Sequence, residues 1–226
     1  MAFALFSFWR SSAAYRARIA LALKGLDYKV VPTDLGNKEE VEGAYKEVNP
    51  QGKVPTLKHD DFILPQSLAI VEYLEDIKPE PSILPADPKD RAIARSMAEM
   101  IACDIHPLNN NAVLQYLRHE LNVEKPGITD WYFHWLTLGF KGVETLLERH
   151  KHPGRFAFED RPTIFEVFLV PQLVNARLFK FPLWGLFGRL ITLRKMLNCA
   201  MQLSQIFPYF LFENPIALRA SKYPAG

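Results

Sequence analysis

The chain has 226 residues, 49% of them apolar and 23% charged, with a net charge of +2 at neutral pH. That length buries a substantial core without disulfide or metal staples, and the near-neutral balance excludes nucleic acid or an anionic membrane as the main partner. Two cysteines far apart, Cys103 and Cys199, form no CxxC pair and no Cys/His metal-ligand spacing, so a reducing, cytosolic compartment and two small buried side chains are expected.

Residues 3 to 8 are a short apolar and aromatic run closed by Trp9-Arg10. This reads as a buried first strand; with no basic residue ahead of it, the run makes a poor leader. From Ala13 to Lys24 the Ala/Leu/Arg composition favours helix, with Gly25 as its C-terminal cap. "DYKVVPTDL" is a second strand whose central part ends at Pro32, so a parallel βαβ unit opens the chain. "NKEEVEGAYKEV" follows as a short exposed helix. "PTLKH" and "FIL" then form a hairpin about Asp60-Asp61. Gln66-Ser67 open the helix "LAIVEYLEDI", whose Leu68, Ile70, Val71 and Leu74 have helical spacing, with Glu72 and Glu75 on the other side.

The proline-dense stretch "KPEPSILPADPKD" supports no regular element and is a linker. Beyond it, residues 89 to 121, 127 to 150, 163 to 180 and 186 to 206 have helical periodicity and nothing reads as a strand. Thr163-x-x-Glu166 after Pro162 has capping-box spacing. The expected architecture is α/β plus all-α: a β-α-β-α-β-β-α domain over 1–78, a linker over 79–88 and an all-helical domain over 89–226.

Val54-Pro55 precedes the hairpin. A proline there is either an edge device or a cis-proline that offers the Val54 backbone to an extended peptide. Gln66-Ser67 stand at a helix start, where free N–H groups and the helix dipole favour a carboxylate. Together these positions describe a site for a small anionic peptide. Taken alone, Ser11-Ser12 are better read as helix caps, and Gln66-Ser67 can be read as a cap in the same way; it is their occurrence together with Val54-Pro55 that reverses the preference.

The segments "FWRSSAAYRARIALALKGLDY", "NPQGKVPTL", "QSLAIVEYLE", "ILPADP" and "IACDIHPLNN" resemble, in this order, the zeta class of glutathione transferases, which includes maleylacetoacetate and maleylpyruvate isomerases. "CDIHPLNN" is most similar to the bacterial maleylpyruvate isomerases. The resemblance runs through roughly residues 3 to 180. It implies a thioredoxin-like first domain, a helical second domain, glutathione as cofactor and a homodimer. By it, Gln66 and Ser67 hold the γ-glutamyl end and Val54, before Pro55, meets the cysteinyl part. Ser11 is the hydroxyl at the sulfur, and His106 and Asn110 reach across from the second domain. His106 is equally read as a core residue, and Arg177 as an ion-pair residue.

A thiol with a pKa of about 8.5 is mostly protonated at neutral pH, and a hydroxyl donor at a helix N-terminus lowers that value. Ser11 and Ser12 supply hydroxyls there, and Arg16 is expected to add positive charge within the first turn. The implied reaction is cis-trans isomerisation of a small dicarboxylate: the glutathione thiolate adds to a conjugated double bond, the bond rotates, and the enolate expels glutathione. Arg10 and Arg177 are the candidates for the two carboxylates.

Three departures from the family narrow this reading. Many zeta members have Ser-Ser-Cys-Ser where this chain has Ser-Ser-Ala-Ala, so no protein thiol stands at Ala13. Some members carry an arginine one position after Arg177, and some a basic residue where Asn111 and Ala112 stand. The tail from Trp184 is more apolar than the family's usual ending; charges at Arg189, Arg194 and Lys195 favour a buried or interface helix over a membrane span. Two other readings stay open: a general transferase or α-halo acid dehalogenase, and a non-catalytic glutathione-binding protein.

Overall fold

In the computed structural model, which describes residues 2–33 and 41–183, strand β1 (Phe3–Ser7), helix α1 (Ser12–Leu23) and strand β2 (Tyr28–Pro32) form the expected parallel unit, with Phe3 opposite Tyr28 and Ser7 opposite Pro32. Helix α1 closes at Gly25 (φ +58°), whose amide donates to Ala22 while Leu26 donates to Leu21, both at 2.9 Å. A side chain at that φ would be strained, which is why glycine ends the helix. A segment of π-type winding, Val41–Tyr45, runs into the short α2 (Lys46–Val48). Strands β3 (Thr56–His59) and β4 (Phe62–Pro65) form the hairpin, and β3 pairs antiparallel with β1 to give the sheet order β2-β1-β3-β4. Helix α3 (Ser67–Ile77) completes this half.

Alternation along β1 sends side chains to two layers. Leu5 enters the main core with Ile19 and Leu21 of α1 and Ile70 and Leu74 of α3. Phe6 packs into a smaller cluster with Tyr45, Ala14 and Val54, its ring 5.5 Å from that of Tyr45.

Residues 78–87 carry no regular element. The helices that follow are α4 (Pro88–Glu99), α5 (His106–Asn109), α6 (Asn111–His119), α7 (Lys125–Arg149) and α8 (Ile164–Leu178). The single helix expected over 89–121 is therefore broken. Met100–Ile105 winds wider, in π fashion, and the chain turns extended at Asn110. Pro107 accounts for the first change, since its ring crowds the carbonyl four residues back and it has no N–H to give. Asn110 accounts for the second, its Oδ1 accepting from the Val113 amide at 3.1 Å as the cap of α6.

Cys103 is exposed, against the expectation of a buried thiol. The reason is helical spacing: Ile101 and Ile105 take the inward positions of this segment and leave Cys103 and Asp104 outside. Cys199, the expected helix over 186–206, the tail from Trp184 and residues 34–40 lie outside the described residues. Among the described residues, no helix is long and apolar enough to cross a membrane.

Helix α8 joins the two halves by packing on both α1 and α4. Every residue from Ile164 to Val174 is buried. The Glu166 carboxylate accepts the Thr163 amide and hydroxyl, both at 2.7 Å, and the Ala157 amide at 2.8 Å. Burial pushes its pKa up while these bonds pull it back. Gly139 lets α7 approach the wide segment, because a Cβ there would lie 2.2 Å from Ile105.

The linker is held by a buried cation. Lys24 Nζ, without solvent exposure, pairs with Glu75 and donates to the carbonyls of Lys78 (2.8 Å), Pro79 (3.3 Å) and Pro81 (2.9 Å). Glu75 also accepts from Ser82 Oγ and from the Ile83 amide at 3.0 Å. Removing one member of such a pair leaves the other buried and unpaired. Lys24→Met will therefore lower stability by about 3 to 5 kcal/mol, measured by urea unfolding; a loss under about 1 kcal/mol would show that the pair behaves as a surface ion pair.

Candidate active site

Three backbone features converge: the N-terminus of α1, the loop before β3 and the N-terminus of α3. Ser11 caps α1, its Oγ accepting from the Ala14 amide at 3.1 Å. Its hydroxyl proton is left to donate outward. Ser12 is buried and does something different from the expected second hydroxyl: its Oγ meets His106 Nδ1 at 3.2 Å, across 94 residues of sequence. The serine pair is thus split into a cap with a donor to spare and a tie to the second half of the molecule. His106 is held neutral, its pKa pulled down to about 3 by burial first and then by the positive charges of Arg16 and Lys53.

The Val54–Pro55 peptide bond is cis. Asn49, buried, shapes the loop before it: its Nδ2 donates to the Lys53 carbonyl at 2.6 Å and to Thr56 Oγ1 at 3.1 Å, and its Oδ1 accepts the Gln51 amide at 3.1 Å. Tyr45 donates to the same Lys53 carbonyl at 2.8 Å. No described residue hydrogen-bonds to the amide or carbonyl of Val54, which leaves both for an extended ligand.

At the head of α3, Gln66 has φ +74°, a left-handed backbone for a residue with a side chain. Its Nε2 donates to Gln51 Oε1 at 2.6 Å, so Gln51 joins the site from a loop fifteen residues away. Ser67 is buried, and its Oγ accepts from Arg16 Nη1 at 3.3 Å. The expectation that Arg16 lends charge at the mouth of α1 is corrected here. The side chain is only 1% exposed, with its guanidinium beneath α3 and 4.7 Å over the Phe168 ring. The reason is that α1 is buried along its length, so a side chain one turn in has no route to the surface. Burial pulls the Arg16 pKa down to about 9, with Cys103 opposing.

Arg10 is exposed beside the mouth of α1, 5.5 Å over the Trp9 ring. Arg18, absent from the sequence-derived candidates, holds this loop: Nη1 donates to Ser7 Oγ at 2.7 Å and to the Phe8 carbonyl at 3.5 Å, and Nη2 to the Trp9 carbonyl at 3.3 Å. Asn110 spends its carbonyl oxygen as a helix cap and keeps its amide donors. Arg177 is exposed in the last turn of α8, just before Phe179, whose ring stacks on Tyr132 at 4.0 Å. Sequence reasoning missed Gln51, Asn49 and Arg18 because each acts through a partner distant in sequence or through backbone carbonyls.

Residues 1–76 match the family model described as glutathione S-transferase, N-terminal domain. Over 179 residues the chain is 42% identical to maleylpyruvate isomerase of Ralstonia sp., a match spanning 79% of this chain and 84% of that protein. The chain belongs to the glutathione S-transferase family. Within it the chain falls in the zeta class. It superposes on the holo structure of a maleylpyruvate isomerase, described as a bacterial zeta-class glutathione S-transferase, with a TM-score of 0.84 at 36% identity, covering 93% of this chain and 99% of that one. It also matches a maleylacetoacetate isomerase from Methylobacterium extorquens AM1 with bound malonate and GSH, with a TM-score of 0.82 at 30% identity, covering 94% and 99%.

The residues of this site fit an anionic, extended peptide. The Val54 backbone has no hydrogen bond to another described residue, and two buried nitrogens of Arg16, Nε and Nη2, have no partner among the described residues. Two outcomes follow. Gln66→Gly will be more stable than Gln66→Ala by about 1 kcal/mol, because glycine relieves the left-handed backbone that alanine retains; equal denaturation midpoints would show that φ here is not strained. For His106, the unfolded chain takes up a proton below pH 6.5 and the folded one only near 3, so stability falls as pH drops through that window. His106→Gln will show an acid limb shallower by up to about 1.4 kcal/mol per pH unit, read from urea midpoints between those pH values.

Proposed function

We propose that this protein is a glutathione-dependent cis-trans isomerase of maleylpyruvate or maleylacetoacetate. The observation that carries the reading is a helix mouth that offers a hydroxyl donor but no thiol of its own: Ser11 caps α1 with its hydroxyl proton free, and the residue two places on is Ala13 rather than a cysteine. A site built this way needs its sulfur from the ligand. The identity to named isomerases over most of the chain supports the same conclusion.

When bound, glutathione supplies a thiolate that adds to the conjugated double bond of the substrate and leaves again after rotation about the resulting single bond. The chain's own residues bind, orient and stabilise charge. Gln66, Gln51 and Ser67 take the γ-glutamyl end at the N-terminus of α3, where unpaired amides and the helix dipole favour a carboxylate. The amide and carbonyl of Val54, presented by Pro55, pair with the cysteinyl backbone. Ser11 donates to the sulfur and lowers its pKa. His106, steadied by Ser12, and Asn110 close over the peptide from the second half. Arg10 and Arg177 grip the substrate carboxylates. The protein acts as a cytosolic homodimer in the breakdown of aromatic compounds.

One observation favours a broader transferase or α-halo acid dehalogenase. Where some zeta members have an arginine after the position of Arg177, this chain has Leu178, 56% exposed, so one guanidinium of a dicarboxylate clamp is missing there. Purified protein with glutathione will convert maleylpyruvate or maleylacetoacetate to its fumaryl isomer, followed by the change in ultraviolet absorption. Conjugation of electrophiles without isomerisation would select the broader reading. Ser11→Ala will lower kcat about a hundredfold, the usual loss for one donor at a developing anion, with KM for glutathione little changed.

A further inference from the structure

His106 reaches the mouth of α1 from a short segment, the four residues of α5 between the wide-wound Met100–Ile105 and the extended backbone at Asn110. A single turn is too short to hold its own position, so it takes that position from the helix alongside, α7. Trp131 Nε1 donates to the Leu108 carbonyl at 2.8 Å, and Asn109 Nδ2 donates to the Tyr132 carbonyl at 3.3 Å. These two bonds pin the far end of α5. The near end is set by Gly139, where a Cβ would lie 2.2 Å from Ile105 Cγ1 and 2.4 Å from its Cδ1. Ile105 is fully buried, and a β-branched side chain in helical backbone keeps to one χ1 rotamer, so it has little room to swing aside. Gly142, three residues on, offers a contrast. A Cβ there would meet Met100 Cε at 2.7 Å, the far end of an unbranched side chain that yields readily.

The two glycines therefore set different things. A methyl at position 142 is absorbed by Met100, whereas the bare backbone at Gly139 decides how close Ile105 comes to α7, and His106 is the next residue along the chain. His106 Nδ1 meets Ser12 Oγ at 3.2 Å, near the outer limit for such a bond, so a displacement of about 1 Å breaks it. We propose that Gly139 is a positioning residue for glutathione binding: by admitting Ile105 against α7, it sets His106 opposite Ser12, where the second half closes over the peptide. This rests on the reading of His106 as a glutathione contact. Gly139 acts only through Ile105 and His106, which distinguishes it from Ser11 and Val54, whose own atoms face the ligand.

Glutathione affinity by calorimetry and the His106 ring resonances by NMR, assigned with His106→Gln, are measured for the wild type, Gly139→Ala, Gly142→Ala, Ile105→Ala and the double variant Gly139→Ala/Ile105→Ala. Both glycine substitutions gain helix propensity, so a difference between them reports position. Gly139→Ala will shift the His106 resonances and weaken glutathione about tenfold, the worth of one hydrogen bond in the site, while Gly142→Ala will stay within about twofold of the wild type. Ile105→Ala removes the brace and will weaken binding too. Adding Gly139→Ala to it will restore affinity to within about threefold of the wild type, because the new methyl then meets only the residue 105 Cβ, at 3.6 Å. The methyl that harms the wild type thus helps the Ile105→Ala protein, whereas a general loosening of the fold makes the double variant the weakest binder. If Gly139→Ala does not fold, the comparison of Ile105→Ala with the double variant decides. His106 resonances that stay in place in Gly139→Ala, or a double variant weaker than Ile105→Ala, overturn the proposal. Shifted resonances with unchanged affinity overturn instead the reading of His106 as a glutathione contact, and a wild-type protein that binds no glutathione overturns the glutathione site itself.

Discussion

Helix α1 has no solvent face from Ala14 to Leu21, yet it carries two arginines within that stretch. A guanidinium cannot be left dry, so each must be met by whatever the surrounding fold supplies. Arg18 is met by the strand-to-helix loop, whose Ser7 hydroxyl and Phe8 and Trp9 carbonyls it holds. Arg16 is met by Ser67 at the head of α3 and by the ring of Phe168 on α8. The two side chains thereby fix, around one helix, the loop that leads into Ser11, the end of α3 at Ser67, and the packing of the second half against the first.

The site is composite for the same reason. Its first-half components stand on rigid backbone: a capped helix mouth, a loop braced by Asn49 and Tyr45, and a strained residue at Gln66. Its second-half component, His106, follows directly on the wide-wound segment that Pro107 imposes, and arrives opposite Ser12. Lys24 and Glu75 hold the linker from within the first half, and the Ile164 amide donates to the Ile83 carbonyl at 2.7 Å, so the start of α8 is tied to the same linker. Electrostatically the cleft is positive without being exposed to bulk cations: Arg16 and Lys53 both act on His106 and keep it neutral. This local positive field resolves the contrast between a nearly neutral chain and an anionic ligand.

Much of this was legible beforehand, and for identifiable reasons. Alternation in "FALFS", the glycine after "LALKG" and the apolar spacing of "LAIVEYLEDI" are local signals, so β1, the end of α1 and α3 stand where they were expected. Proline density accounts for the lack of a regular element over residues 78–87, and Thr163 with Glu166 placed the start of α8. The long helix expected over 89–121 failed because periodicity survives a π-type widening that preserves the inward residues while shifting everything between them. Cys103 was judged from its residue type, whereas its exposure depends on which side of that widened segment faces inward.

What the sequence by itself determined, then, is the order and kind of the elements, the capping residues, the glutathione S-transferase family and the identity of the groups available for chemistry. Each of these is carried by neighbours within a turn or a strand, or by motifs read whole. What only the tertiary structure decided is which of those groups meet. Ser12 meets His106 rather than a sulfur, Arg16 lies under Ser67 rather than at the helix mouth, and Gln66 is joined by Gln51. Pairings of this kind follow from where burial forces a polar side chain to find its partner, and along the chain those partners lie 94, 51 and 15 residues apart.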